Sequence, residues 1–442
     1  MSERETEDPV AGLLPDRAAA YWERDVVKIF ATLFGMYALY LLVGALLGYD
    51  LSGQLNALRR LTFLVVVFGI AALVVNLHWG YSGLFNIGVV GFMAIGVYTM
   101  TILSSPVPGQ NPTGSLPGFG VPLPIAAVAG MLAAAAAGYV AALPSLRLRD
   151  DYFAIVTLAF AEIVRITFKS TELQEVTLFG WTFGTGGGRG IRTFPNPFQE
   201  FFGTTGQPVV AVVESVGLGG QLVAGWVLVA ALALVLAGTY WLIVRLSASP
   251  FGRVLKGIRD DEMATQSLAK ETASFKIRAF VIGCAILGLL GIVWQGMNRG
   301  YIRPGNFEPR LTFFIWIAVI IGGAGSNTGT VIGTILFVGF VYEGPAYVRR
   351  LIEEFVGISG TAPTFPDALV ALGGGDAASI TLYTFSQTSA LRIVLTGVIL
   401  IWLLKRRPEG LFGDRREVAA SIDLEERVAR RRNDREQGGD AE

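Results

Sequence analysis

Long apolar windows separated by short polar breaks run along the chain from Val27 to Leu404, and between Leu61 and Leu146 no Asp, Glu, Lys or Arg occurs for 86 residues. A hydrocarbon core about 30 Å thick is crossed by about 20 residues of helix rising 1.5 Å each. Windows that fit lie near Val27 to Leu47, Leu61 to Trp79, Phe85 to Leu103, Leu123 to Leu143, Leu222 to Val244, Ala279 to Gln295 and Leu311 to Ile321. Tyr152 to Phe168 also fits but carries Glu162 and Arg165, Val331 to Tyr342 is short, and Phe385 to Leu404 carries Arg392. The pattern predicts an all-α integral membrane protein with about ten transmembrane helices. Many of the 55 glycines fall inside these windows, and Gly80 to Gly83 and Gly322 to Ser326 break them. Such breaks are tolerated at membrane depth where protein or a water-filled cavity satisfies the freed backbone. They fit interrupted helices around a pathway, and they equally fit close helix packing with ordinary turns.

Charge sharpens this division. Residues 1–26 hold 10 of the charged side chains, 245–278 hold 11 and 405–442 hold 20. These divide the chain into an N-terminal tail 1–26, a membrane domain 27–404 and a charged C-terminal tail 405–442. If both termini are cytoplasmic, the inner connections hold 12 Lys and Arg in 55 positions and the outer ones, 343–386 among them, 10 in 140. Retention of basic residues on the cytoplasmic side therefore favours that orientation. The acidic first 26 residues lack the basic region and short apolar core of a secretory signal. One cysteine (Cys284) and one histidine (His78) exclude an intrachain disulfide and a histidine-rich metal site, and zero net charge leaves no footprint for nucleic acid. No cofactor is expected.

The stretch from Ser249 to Arg278 stands apart. Phe251, Leu255 and Ile258 recur at helical spacing while Arg253, Lys256, Arg259, Asp260 and Asp261 stay polar, which predicts a short amphipathic helix after Pro250. A charged helical loop between two long spans suits a cytosolic docking partner, and it also suits a segment lying on anionic headgroups. No GxxxxGK[ST] nucleotide loop occurs anywhere in the chain. In the membrane windows, Glu162 and Arg165 share a helix face at a spacing of three, fit either to line a path or to pair with each other. Asn76, His78 and Asn86 flank the Gly80 break, where they could hydrogen-bond a passing zwitterion or satisfy broken-helix backbone. The Gly-rich TGGGRGI at 185–191 lacks the strand and helix that would make it a phosphate loop.

Six segments occur in a characteristic order: N76-LHWGYSGLFNIGVVGFMAIGVY-98, L146-RLRDDYFAIVTLAFAEIVRI-166, T185-GGGRGI-191, S249-PFGRVLKGIRDDEMATQSLA-269 with K276-IRAFVIGCAILGLLG-291, G322-GAGSNTGTVIG-333 and R407-PEGLFG-413. Together they resemble the permease subunits of branched-chain amino-acid ABC importers, most closely the M type, over roughly residues 60–342 and 390–413. The resemblance implies a non-enzymatic permease that pairs with a second homologous permease, two cytosolic ATPase subunits and an external solute-binding protein in the lipid bilayer of the cell membrane. It also implies that the ATPase-coupling segment falls on Gly252, Arg253, Ile258, Arg259, Asp260, Asp261 and Glu262. A urea or short-amide permease looks similar, and an ion-coupled carrier or channel is the alternative from another class. Ala269 stands where many relatives have glycine, Asp150 where RLRGDYF is common, and segment 343–386 and both tails are longer than usual.

Overall fold

Spans that are apolar all round cannot tell core from lipid by sequence alone, so burial decides where each helix sits. The computed structural model describes residues 14–107, 116–145, 150–192, 215, 219–296, 301–356, 364–407 and 409–412. Helix α1 spans Leu14–Leu46, α2 Leu51–Val75, α3 Val89–Ser104, α4 Leu123–Ser145 and α5 Asp150–Lys169. After it come α6 (Gly220–Ala248), α7 (Pro250–Asp260), α8 (Glu262–Ser267) and α9 (Thr272–Gly291). The last are α10 (Pro309–Gly322), α11 (Asn327–Leu336), α12 (Gly344–Val356), α13 (Phe365–Gly373), α14 (Ala377–Ser386) and α15 (Thr388–Arg406). Among the described residues six helices are long and apolar enough to cross a membrane, and α3 and α15 add shorter apolar helices. The predicted windows coincide with α1 to α6, α9, α10, α11 and α15.

The charge-free stretch that opens at Leu61 forms the centre. Every residue from Leu64 to His78 is buried, whereas α1, α4 and α6 turn Phe34, Leu42, Ile125, Leu132 and Leu234 outward as a surface suited to lipid. Small residues set the separation of α3, α4 and α9. A Cβ on Gly96 would lie 2.5 Å from the Cα of Gly288, and one on Gly130 only 2.4 Å from the Gly96 carbonyl oxygen. Backbones this close need glycine, and van der Waals packing of this kind is what associates helices where the surrounding solvent is itself apolar.

Three of the spanning helices widen into π turns: α2 at Asn76–Tyr81, α9 at Ile292–Gly296 and α11 at Phe337–Glu343. Single π turns inside α-helices are frequent at functional sites. Two short antiparallel ladders complete the described chain, β1 (Val176–Leu178) with β2 (Trp181–Phe183) and β3 (Ile191–Arg192) with β4 (Tyr301–Ile302).

The boundaries depart from expectation at two places. Helix α1 starts at Leu14 but its span long and apolar enough to cross a membrane is Asp25–Leu46, close to the expected window, whereas α3 begins at Val89 rather than Phe85 because residues 82–88 run without helix. Composition ends the last short window at Tyr342, yet helix continues through the π turn to Val356. A charged Glu343 closes an apolar window by composition, but here the carboxylate is buried and paired inside the bundle. The tail residues 1–13 and 413–442, the motif residues 146–149 and most of the outer connection 193–218 lie outside the described residues.

Candidate functional site

Both predicted glycine breaks lie at one end of the bundle and are joined by one asparagine. Asn76, buried in the π turn of α2, donates from Nδ2 to Asn327 Oδ1 at 2.9 Å, and its Oδ1 accepts from the Gly325 N–H at 2.7 Å. Between α10 and α11 the chain turns through Gly323 (φ 100°) and Gly325 (φ 86°), where a Cβ would be strained. Ser326 then caps α11 by accepting from the Gly329 N–H at 3.0 Å. The carbonyls left open at the end of α10 are met from the C-terminal side, where the Leu411 and Phe412 N–H groups donate to Ile321 and Gly322 at 2.9 and 3.1 Å.

His78 and Asn86 hold the second side of the same break. The imidazole Nε2 lies 3.2 Å from the Phe280 carbonyl oxygen and Nδ1 lies 3.2 Å from Asn86 Nδ2. A neutral ring protonated on Nε2 satisfies both contacts, donating to Phe280 and accepting from Asn86. Asn86 Oδ1 accepts from the Gly88 N–H at 2.8 Å, its backbone oxygen accepts from Trp316 Nε1 at 3.0 Å, and the Ile87 N–H donates to Thr157 Oγ1 at 3.1 Å. Trp79, Phe85 and Trp316 pack around it with centroids 4.2 to 6.0 Å apart. All three predicted polar residues are therefore engaged within the protein, Asn76 with Gly325 and Asn327 of the other break, and His78 and Asn86 with each other and with backbone groups.

The amphipathic helix forms as predicted and lies against this break. Ser249 accepts from the Gly252 N–H at 3.4 Å and Pro250 occupies the first turn, a favourable helix start. Leu255 and Ile258 are buried, and Phe251 stacks on Phe275 of α9 at 5.5 Å. That packing turns Arg259 inward. Its Nη1 donates to the Gly80 carbonyl oxygen at 2.6 Å, while Nε and Nη2 both donate to Asp260 Oδ1 at 3.1 and 3.0 Å. Lys256 Nζ sits 5.6 Å from the centre of the Tyr81 ring. A Cβ on Gly325 would come 3.0 Å from Arg259 Nη1, so one guanidinium reaches both breaks.

Beyond Arg259 the loop is held by short contacts within the chain. Asp261 accepts from the Ala264 N–H at 2.9 Å to start α8, and Glu262 accepts from Lys276 Nζ at 2.7 Å. Arg253, Asp260 and Asp261 are exposed, and so are Met263 (78%) and Leu268 (75%), two large apolar side chains on a charged loop. Ala269 sits at φ 57°, in the left-handed region that suits glycine. Ala269→Gly should therefore raise stability by about 1 kcal/mol, read as a higher midpoint of thermal unfolding in detergent.

Glu162 and Arg165 stand apart from this constellation. They pair with each other through Arg165 Nε to Glu162 Oε2 at 2.8 Å and a second contact from Nη2 to Oε1, with side chains 35% and 21% exposed. A further charged cluster was not found by sequence reasoning. Glu343, 3% exposed, accepts from Arg60 Nε and Nη2 at 2.9 and 3.2 Å, and Arg392 Nη2 lies 4.0 Å away. Arg392 also donates to the Tyr342 carbonyl and covers the Tyr342 ring at 4.1 Å. The signal was present as three charges at the edges of, or within, apolar windows, each unexplained singly.

Residues 57–401 match the family model described as branched-chain amino acid transport system / permease component. The chain is 34% identical over 293 residues to the high-affinity branched-chain amino acid transport system permease protein LivM of Escherichia coli (strain K12), covering 64% of this chain and 61% of that protein. It is 32% identical over 300 residues to the LivM protein of Salmonella typhimurium, with the same two coverages. A probable branched-chain amino acid transport permease protein LivM of Methanocaldococcus jannaschii is 23% identical over 295 residues, covering 62% of this chain and 76% of that one. The chain thus spans about 61% of the length of the first two relatives. No solved structure matches it.

Proposed function

This chain belongs to the family of permease components of branched-chain amino acid transport systems, and from that premise we propose that it is a membrane subunit of an ATP-driven importer for branched-chain or related small amino acids. ATP is hydrolysed by separate cytosolic subunits, a second homologous permease completes the pathway, and an external binding protein delivers the solute. In this reading both termini and the 245–278 connection are cytoplasmic, the latter docking an ATPase subunit.

The observation that carries the reading is the Arg259 contact. A partner that pushes or pulls α7 moves a cation bonded to the Gly80 carbonyl, and Asn76 ties that π turn to Gly325 and Asn327 of the other break. Movement of a surface helix thereby reaches two interruptions of membrane spans through three side-chain hydrogen bonds. Asn76, His78 and Asn86 act in this scheme as the hinge of the pathway, and Glu162 with Arg165 as a paired group farther along α5.

Docking itself falls to what the loop leaves uncovered. Met263 and Leu268 present apolar surface beside Arg253, Asp260 and Asp261, the mix of apolar centre and polar rim that protein interfaces use. Met263→Glu combined with Leu268→Glu should abolish co-purification of the ATPase subunits and remove ATP-dependent leucine uptake in vesicles, while the permease pair still inserts. Retained co-purification and uptake would rule out this docking surface.

A further inference from the structure

At the end of the bundle opposite the breaks, an aromatic hairpin follows the last turn of α5. Its sequence from Val176 to Phe183 is VTLFGWTF, without a charge. The register pairs Val176 with Phe183 and Leu178 with Trp181 on one face and Thr177 with Thr182 on the other. Phe119, just before α4, stacks on Trp181 at 5.6 Å and lies 5.4 Å from Phe183, which fixes the hairpin against the membrane helices. Its tip is left uncovered: Phe179 is 93% exposed, Leu178 53% and Trp181 46%.

The turn makes this choice of residues costly. Phe179 (φ 49°) and Gly180 (φ 83°) both occupy the left-handed region, as a two-residue turn between paired strands requires. Asn or Gly suits the first of these positions, and a bulky aromatic side chain there is a genuine conformational outlier. Three-residue strands cannot recover that strain within the hairpin, since isolated hairpins are marginal in water. A nearly fully exposed ring at a strained position is thus left without covering contacts among the described residues.

We propose that the Val176–Phe183 hairpin is an interfacial anchor whose tip, Leu178, Phe179 and Trp181, seats in the headgroup and upper acyl region of the bilayer. Three features select lipid as the occupant. The tip continues the lipid-suited surface of α4 through Phe119, beyond which Ile125, Val128 and Leu132 are exposed at 62%, 51% and 58%. Exposed charges of both signs stand at its base, Lys169 ending α5, Glu172 and Glu175 before β1, Arg189 after the hairpin and Arg192 in β3, and none stands on the tip itself. Aromatic rings at the boundary with charges only behind them form the pattern by which membrane proteins fix their depth. The anchor holds whether or not the chain is an importer subunit.

Because Cys284 is the chain's single cysteine and is buried, the test starts from Cys284→Ala in the full-length protein. Spin labels placed at Phe179→Cys, and separately at Leu178→Cys to leave the turn residues intact, are measured in phosphatidylcholine–phosphatidylglycerol liposomes, with Glu172→Cys as the aqueous reference. Collision with oxygen should exceed collision with a water-soluble nickel chelate several-fold at positions 178 and 179, with the order reversed at 172. Nickel access at 178 and 179 equal to that at 172 would overturn the proposal. So would exclusion of nickel without a gain in oxygen access, the signature of burial against protein.

Discussion

Arg259→Gln is expected to lower ATP-dependent leucine uptake about tenfold or more in vesicles carrying the complete complex, while ATP hydrolysis continues. The guanidinium donates to the Gly80 carbonyl at 2.6 Å, and hydrogen bonds from charged groups contribute about 1.5 to 3 kcal/mol. Its side chain is 39% exposed, so the lower part of that range applies, and each 1.4 kcal/mol is a factor of about ten. Glutamine also cannot grip the carbonyl and Asp260 together as the planar fork does. Lysine keeps the charge without the fork, so Arg259→Lys should fall between the two. Uptake unchanged in the glutamine variant would remove Arg259 from the coupling route.

The second large effect concerns the buried carboxylate of the π turn that ends at Glu343. Arg60 and Arg392 are its two cationic neighbours, at 2.9 and 4.0 Å, and only Arg392 is itself well buried, with a side chain 18% exposed. Stranding a buried charge costs about 3 to 5 kcal/mol, whereas removing the whole group can be nearly neutral. Arg60→Leu with Arg392→Leu should therefore destabilise the detergent-solubilised protein by several kcal/mol, and adding Glu343→Leu should recover most of the loss. Thermal unfolding of the double and triple variants checks this, and a triple variant no more stable than the double would show that the carboxylate is not what the arginines neutralise.

Much of the architecture was legible because the membrane makes two demands that a sequence displays. Spans must be apolar for about 20 residues, which located α2, α4, α6 and α9, and the solvated loop must alternate by helical period, which located α7 and its buried Leu255 and Ile258. The family followed from ordered motifs. What stayed hidden depends on contacts between distant residues. Periodicity assigns Arg259 to a polar face but cannot say that this face meets Gly80, 179 positions earlier. Glu343 read as the exit from the membrane because its neutralising Arg60 lies 283 positions away. The helix ends moved for local reasons, since π turns carry α2 and α11 past the points where composition stops them. Ala269 is the converse case, a departure from the family pattern noticed in sequence whose meaning, a left-handed backbone, required the structure.

Flux through the permease pair alone tests the importer reading most directly. The 86 residues from Leu61 to Leu146 offer an amino acid no charged partner, Asn76 is engaged with Gly325 and Asn327, and His78 and Asn86 are engaged with backbone and each other. A zwitterion stripped of water needs such partners to offset its desolvation. Liposomes holding this chain and its permease partner, without ATPases or binding protein, should therefore show no leucine flux above that of empty vesicles, and uptake should emerge only with the full complex and ATP. Saturable leucine flux in the absence of ATP would contradict the account and identify a self-sufficient carrier or channel.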